Sequence, residues 1–199
     1  MGRGSTSGAG HDRAPGRLYG VTAWPPPELR DFVLGFQAAH NVAGYGTPHF
    51  NLRYPFFWDG PEEELLRELE HTAAGLAPFR ATLTGWEEFP TALYLGVRPT
   101  PAVLAAHEAL YAAGGEPGLP GLDRDEYVPH VTVALCVLPW AREAIVRAAA
   151  HARVPRHWWL VSSLAVTRDN SGELIELARL PLGRPAGPQA AARPNRPAL

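Results

Sequence analysis

The chain contains no lysine; all 18 of its basic residues are arginine. A Walker A phosphate loop requires its lysine, a pyridoxal phosphate enzyme its Schiff-base lysine, and an ATP-dependent nucleic-acid ligase a lysine that carries the nucleotidyl group. These three chemistries are closed to the chain unless a partner supplies the residue. Cysteine is nearly as scarce. Cys136 stands alone, so neither an internal disulfide nor a cysteine cluster for zinc can form, and a small buried hydrophobe is its expected role. No apolar segment of signal-peptide type and no run of about 18 apolar residues occurs, so neither a signal peptide nor a membrane span is expected. The resulting expectation is a cytoplasmic protein with no membrane partner, no metal and no cofactor.

Charge is low and uneven. Residues 1–16 and 183–199 are rich in Gly, Pro, Ala, Ser and Arg and lack hydrophobic periodicity, which predicts two disordered tails around a folded body at 17–182. The tails hold five Arg against Asp12 alone, whereas the body holds thirteen Arg against nineteen acids. An acidic body argues against a broad basic groove for duplex nucleic acid and leaves room for a small local phosphate site.

Periodicity divides the body into two similar halves. Residues 18–24 read as a strand ended by Pro25, Pro26 and Pro27, followed by a helix with Leu29, Phe32, Val33 and Phe36 on one face. A strand at about 48–56 leads through Asp59, Gly60 and Pro61 to a helix with Glu62, Glu63 and Glu64 in its first turn and Leu65, Leu66, Leu69 and Leu76 on its face. Strands follow near 79–86 and 92–97. The second half opens with a helix capped by Thr100 and stopped by Gly114 and Gly115. After it come a loop at 114–121, a strand at about 128–137, a helix near 139–152, and strands near 157–167 and 173–180 around the turn at 169–172. This order predicts an α+β protein of two similar lobes, with antiparallel sheets facing a central cleft and helices outside. A monomer is expected.

Two segments share one pattern, Pro48-His49-Phe50-Asn51-Leu52-Arg53 and Pro129-His130-Val131-Thr132-Val133-Ala134. Strand alternation puts His49, Asn51 and Arg53 on one side and Phe50, Leu52 and Tyr54 on the other. It likewise separates His130, Thr132, Ala134 and Cys136 from Val131, Val133, Leu135 and Val137. If a pseudo-twofold axis relates the lobes, the two polar faces meet across the cleft. Opening a cyclic phosphodiester needs such a pair, one imidazole taking a proton from water and the other giving one to the leaving ribose oxygen. Asn51 and Thr132 are then candidate donors to the phosphate oxygens, with Arg53 as a charge-assisted third.

Paired His-x-Thr-like motifs, each preceded by Pro and about 80 residues apart, resemble the 2H phosphoesterase superfamily, in its bacterial 2′–5′ RNA ligase and cyclic phosphodiesterase branch. The resemblance covers the whole body. It implies metal-independent hydrolysis of 2′,3′-cyclic phosphates on RNA ends or small nucleotides to 2′-phosphates, with reversible ATP-independent 2′–5′ RNA ligation as a further activity. It makes His49 and His130 the acid–base pair and gives Asn51 and Thr132 the phosphate. Two departures stand out: Asn51 occupies a place that is Thr or Ser in the family, and Leu135 one that is Arg in many members.

Other residues have two readings each. Trp24, Phe57, Trp58 and Trp86 offer rings that could stack a base near the cleft or pack in the core, and Tyr127 either lines the site or packs behind it. His107 sits on an apolar helix face and reads as structural, while His151 and His157 lack metal-ligand spacing. Two alternatives to the enzyme are a catalytically weak RNA-end or nucleotide-binding module on the same fold, favoured by Asn51 and Leu135, and an unrelated α+β interaction protein with no phosphate site.

Overall fold

The computed structural model describes residues 17–117 and 126–183. The expected tails, apart from Gly183, lie outside the described residues, as does 118–121 of the expected loop. The elements run β1 (Arg17–Ala23), α1 (Pro27–His40), β2 (Phe50–Trp58), α2 (Glu62–Ala74), β3 (Phe79–Phe89), β4 (Ala92–Val97), α3 (Pro101–Ala112), β5 (Glu116–Pro117), β6 (His130–Ala134), α4 (Pro139–His151), β7 (Trp158–Val161), β8 (Ser163–Asn170) and β9 (Glu173–Pro181).

The helices begin and end where the sequence dictates. Proline opens α1, α3 and α4, where its missing N–H is no loss and its φ is already helical. Thr100 caps α3 by accepting the Val103 N–H. Glu62, Glu63 and Glu64 lie at the positive end of the α2 dipole. Each helix buries one stripe: Leu29, Val33 and Phe36 on α1, Leu65, Leu69 and Ala73 on α2, Val103, Ala106, His107 and Leu110 on α3, and Ile145 and Ala149 on α4. Each fully buried Leu or Phe contributes about 1.5–3 kcal/mol.

The strands form one antiparallel path, β7-β3-β4-β6-β2-β1-β8-β9, with β5 paired to β2. Read from its centre, the path has twofold logic. β2 and β6 are neighbours, flanked by β1 and β4, then by β8 and β3, then by β9 and β7. The expected two-lobed α+β architecture is therefore present, with its halves joined into one curled sheet. They are also interlaced. α1 follows β1 yet packs on β6, and α3 follows β4 yet packs on β2. The strand expected at 157–167 is two strands. The chain breaks at the exposed Ser162, with β7 pairing β3 in one half and β8 pairing β1 in the other.

Arg53 is the largest fully buried side chain. Its guanidinium donates to Leu110 O at 2.8 Å and Gly115 O at 3.0 Å, and it stacks 3.8 Å from the Phe56 ring centroid. It thus ties the end of α3 and the following turn to β2. Gly115, at φ +85, must be glycine, because a Cβ would meet Phe56 Cδ2 at 2.5 Å.

Candidate active site

Where the halves meet, β2 and β6 pair through one couple, Phe50 with Val131, both fully buried. The residues on either side of that couple point the other way, into the cleft. Extending the antiparallel register one place each way sets His49 across from Thr132 and Asn51 across from His130. His49 and His130 stand on the diagonal of this square, where residues are about 7–8 Å apart and somewhat closer at Cβ. All four residues line one cavity of about 370 Å³.

Both histidines are held in the same way. His49 Nδ1 lies 2.7 Å from Thr47 O, and His130 Nδ1 lies 2.7 Å from Val128 O, each carbonyl two residues upstream. The intervening Pro48 and Pro129 explain this, since a residue before proline is pushed to extended backbone, here turning its carbonyl toward the ring. A carbonyl only accepts, so Nδ1 carries a proton in each ring and Nε2 is the nitrogen left for chemistry. Tyr54 Oη adds contacts of 3.3 Å to His130 Nδ1 and 3.2 Å to Val128 O.

Burial holds the His49 imidazole below its ordinary value of 6.5. The Thr47 bond opposes that shift and the nearby His130 adds to it. Burial also lowers His130, but there the Val128 bond and the charge of Glu87 both push back. Glu87 is itself placed by the Thr84 and Tyr94 hydroxyls at 2.6 and 3.3 Å, and the Tyr94 ring lies 4.9 Å from that of His130. The neighbour of His49 is instead Trp24, edge-on at 6.3 Å.

Simple alternation fails one step beyond each motif. Along β2 the β1 partners run Ala23–Phe50, Thr22–Asn51, Val21–Arg53 and Tyr19–Phe56, with a bulge after Asn51 and another before Phe56. Along β6 the β4 partners run Tyr94–Thr132 and Leu93–Ala134, with a bulge after Thr132. Each bulge reverses the faces of the residues that follow. This corrects the expected position of Arg53, which turns into the core, while Tyr54 takes the cleft position. At the end of β6 it buries Ala134 and brings the following Leu135 onto the cleft. The two bulges are equivalent, so Tyr54 and Leu135 are counterparts.

Three other expected cleft residues lie elsewhere. Trp24 touches His49 from outside the cleft and donates to Glu176 Oε2 at 2.7 Å. Trp58 sits toward the far end of β2, donating to Pro61 O. Tyr127 is buried behind the site, stacked 3.7 Å from His107 and donating to Asn51 O at 2.8 Å. Burial raises its phenol well above the usual value, with Tyr54 a lesser cause. Cys136 is exposed rather than buried. His107 is structural, its Nδ1 2.7 Å from Leu52 O. The residues that sequence reasoning missed are Tyr45, Tyr54, Phe89, Thr167 and Asp169, all lining the cavity. Among the described residues no group of three or more His, Cys, Asp or Glu is placed to hold a metal ion, and no helix is long and apolar enough to cross a membrane.

A two-lobed α+β chain with paired histidines on its two central strands, each ring tied at Nδ1, defines a recognisable class. The family model described as the 2′-5′ RNA ligase superfamily matches residues 25–173, and the chain belongs to that superfamily. A Bacillus pumilus (strain SAFR-032) protein named "Putative phosphoesterase" is 30% identical over 122 residues, spanning 58% of this chain and 68% of its own. TT0787 of Thermus thermophilus superposes with a TM-score of 0.58 at 26% identity, over 84% of this chain and 98% of its own. E. coli LigT, solved in complex with NADP+, superposes with a TM-score of 0.58 at 16% identity, over 84% and 99% of the two chains. It has also been solved with phosphate, 3′-AMP and ATP.

Proposed function

We propose that this chain is a cyclic phosphodiesterase that opens 2′,3′-cyclic phosphates of RNA ends or small nucleotides to 2′-phosphates, using His49 and His130 as a metal-independent acid–base pair. Family and fold support a phosphoesterase-like enzyme, and the nucleotide and phosphate complexes of LigT fit a cleft of this kind. The observation that carries the specific reaction is the square of His49, Thr132, Asn51 and His130 on one cavity. A phosphorus at its centre has a proton acceptor on one side, a proton donor on the other, and the Asn51 amide and Thr132 hydroxyl for its oxygens.

The surroundings of the two rings favour one division of roles. Glu87 favours the protonated form of His130, and among the described residues no carboxylate acts on His49 in that way. His49 is therefore the base that takes a proton from water as the water oxygen bonds to phosphorus. His130 is the acid that protonates O3′ as the P–O3′ bond breaks, leaving a 2′-phosphate. With an RNA 5′-hydroxyl in place of water, the same transfers form a 2′–5′ linkage without ATP.

A second reading, a nucleotide-binding module of low activity, draws on Leu135 in the cleft and on the lack of an arginine among the described lining residues. Incubation with 2′,3′-cyclic nucleotides in EDTA separates the two readings, with the product identified by phosphorus NMR. Turnover to the 2′-phosphate is expected. Binding without turnover would establish the module, and turnover abolished by EDTA would establish a metal site instead.

A further inference from the structure

The cleft is lopsided. From the two histidine strands it continues across β1 and β8 and ends at Asp169 and at Tyr45, which comes from the loop leading into His49. Adjacent strands are about 4.8 Å apart, so β8 lies roughly 10 Å from β2, room for one nucleoside laid across the floor. The floor is low there because Gly20 has no side chain; a Cβ would come within 3.3 Å of Thr167 Oγ1. The far end is unsuited to a second phosphate. Asp169 Oδ1 accepts the Gly172 N–H at 2.8 Å, and Tyr45 lines the same end of the cavity, where burial and the Asp169 carboxylate push its phenol up to about 12. Tyr45 therefore remains a donor across the physiological range. A carboxylate held by the Gly172 N–H repels anions and accepts N–H groups.

We propose that Asp169, beside Tyr45 at the end of the cavity, reads the base of the substrate and selects guanine. This assignment rests on the reading of the cleft as a cyclic phosphodiesterase site, with the phosphate between His49 and His130. Among the RNA bases only guanine presents two adjacent donors, N1–H and the N2 amino group, which match the two oxygens of a carboxylate. Uracil presents one N–H between two carbonyls, which a carboxylate repels. Adenine and cytosine present an amino group beside an acceptor. The preference therefore runs from guanine first to uracil last, and a site built to bond a donor edge discriminates strongly against its absence.

The test compares turnover of the four 2′,3′-cyclic nucleoside monophosphates by wild type and Asp169→Asn, the latter keeping an oxygen for the Gly172 N–H and so the turn. Wild type is expected to favour 2′,3′-cyclic GMP over 2′,3′-cyclic UMP by about 10²- to 10⁴-fold in kcat/KM, the scale of two hydrogen bonds to a charged group. Asp169→Asn is expected to bring that ratio close to one. Calorimetric titration with 2′-GMP and 2′-UMP reads the same preference without turnover. Equal rates and affinities in wild type, or a guanine preference that survives in Asp169→Asn, would overturn the assignment. Hydrolysis of none of the four, with guanine still preferred in binding, would overturn the catalytic reading and leave the base reading standing.

Discussion

Along β2 and the residue before it the cleft-facing side chains run His49, Asn51, Tyr54; along β6 and the residue after it they run His130, Thr132, Leu135. The backbones repeat each other closely, with a proline before each histidine, an Nδ1 bond to the carbonyl two residues back, and a bulge after the third residue of each motif. The side chains differ at every place except the histidines. An amide on one side answers to a hydroxyl on the other, and a phenol to an aliphatic chain. One ring leans on Trp24 and the other on Tyr94 with Glu87 behind it. What the two halves share is held by the backbone, and what tells one histidine from the other is left to the neighbours.

The comparison breaks most visibly at the histidines. His49→Ala and His130→Ala should each lower 2′,3′-cyclic nucleotide turnover by about 10²- to 10⁴-fold, the scale of losing a general acid or base. A near-normal rate in either variant would show that the strands do not act as a pair. The next largest effect belongs to Asn51. Asn51→Ala should slow hydrolysis by about 10- to 10³-fold through loss of a donor to the developing phosphate charge. Asn51→Thr, which makes β2 match β6, should retain or raise the rate. An inactive but folded Asn51→Thr would mean that the cleft is organised around the amide.

Arg53 sharpens the comparison from the other side, because Ala134, its counterpart in the motif, carries no charge. Arg53→Met should destabilise the fold by about 2–4 kcal/mol in denaturant titration, since two buried carbonyls lose a charged donor. Below its unfolding temperature the rate should stay within about threefold of wild type. A folded Arg53→Met that loses phosphate affinity would place the guanidinium at the substrate after all.

The smallest effects are electrostatic. Glu87→Gln removes the charge that holds His130 up, so the descending limb of the pH–rate profile, set by deprotonation of the acid, should move to lower pH while the ascending limb stays. Movement of the ascending limb alone would reverse the two roles. Stability carries the same signature. Both imidazoles sit below their unfolded value of 6.5, so the unfolded chain binds more protons just beneath that pH and stability falls on acidification. The double variant His49→Gln, His130→Gln should show a shallower loss between about pH 7 and pH 5.

The element order, helix faces and paired histidines were legible because each rests on local periodicity or on a repeated motif. Asn51 and Thr132 followed from a two-residue offset that the strands respect. Arg53, Tyr54, Ala134 and Leu135 did not, because one extra residue in a strand reverses its faces and leaves no mark in composition. The break at Ser162 was hidden for a related reason. Residues on both sides favour extended backbone, and only the choice of partner, β3 or β1, separates β7 from β8. Asp169 and Tyr45 are far from both motifs in pattern, and the sheet alone brings them to the same cavity.

The interlacing of the halves has a consequence for how the chain folds. β1 finds one of its two partners only in β8, some 145 positions later, so neither half can be completed as synthesis delivers it. A topology so dominated by distant contacts closes slowly, and until residue 170 has emerged the Tyr19–Thr22 edge of β1 remains open to any other extended chain. The arrangement that holds the two histidines on one unbroken sheet therefore also makes the nascent protein depend on its last strands, and a chain interrupted near residue 150 would expose that edge to aggregation.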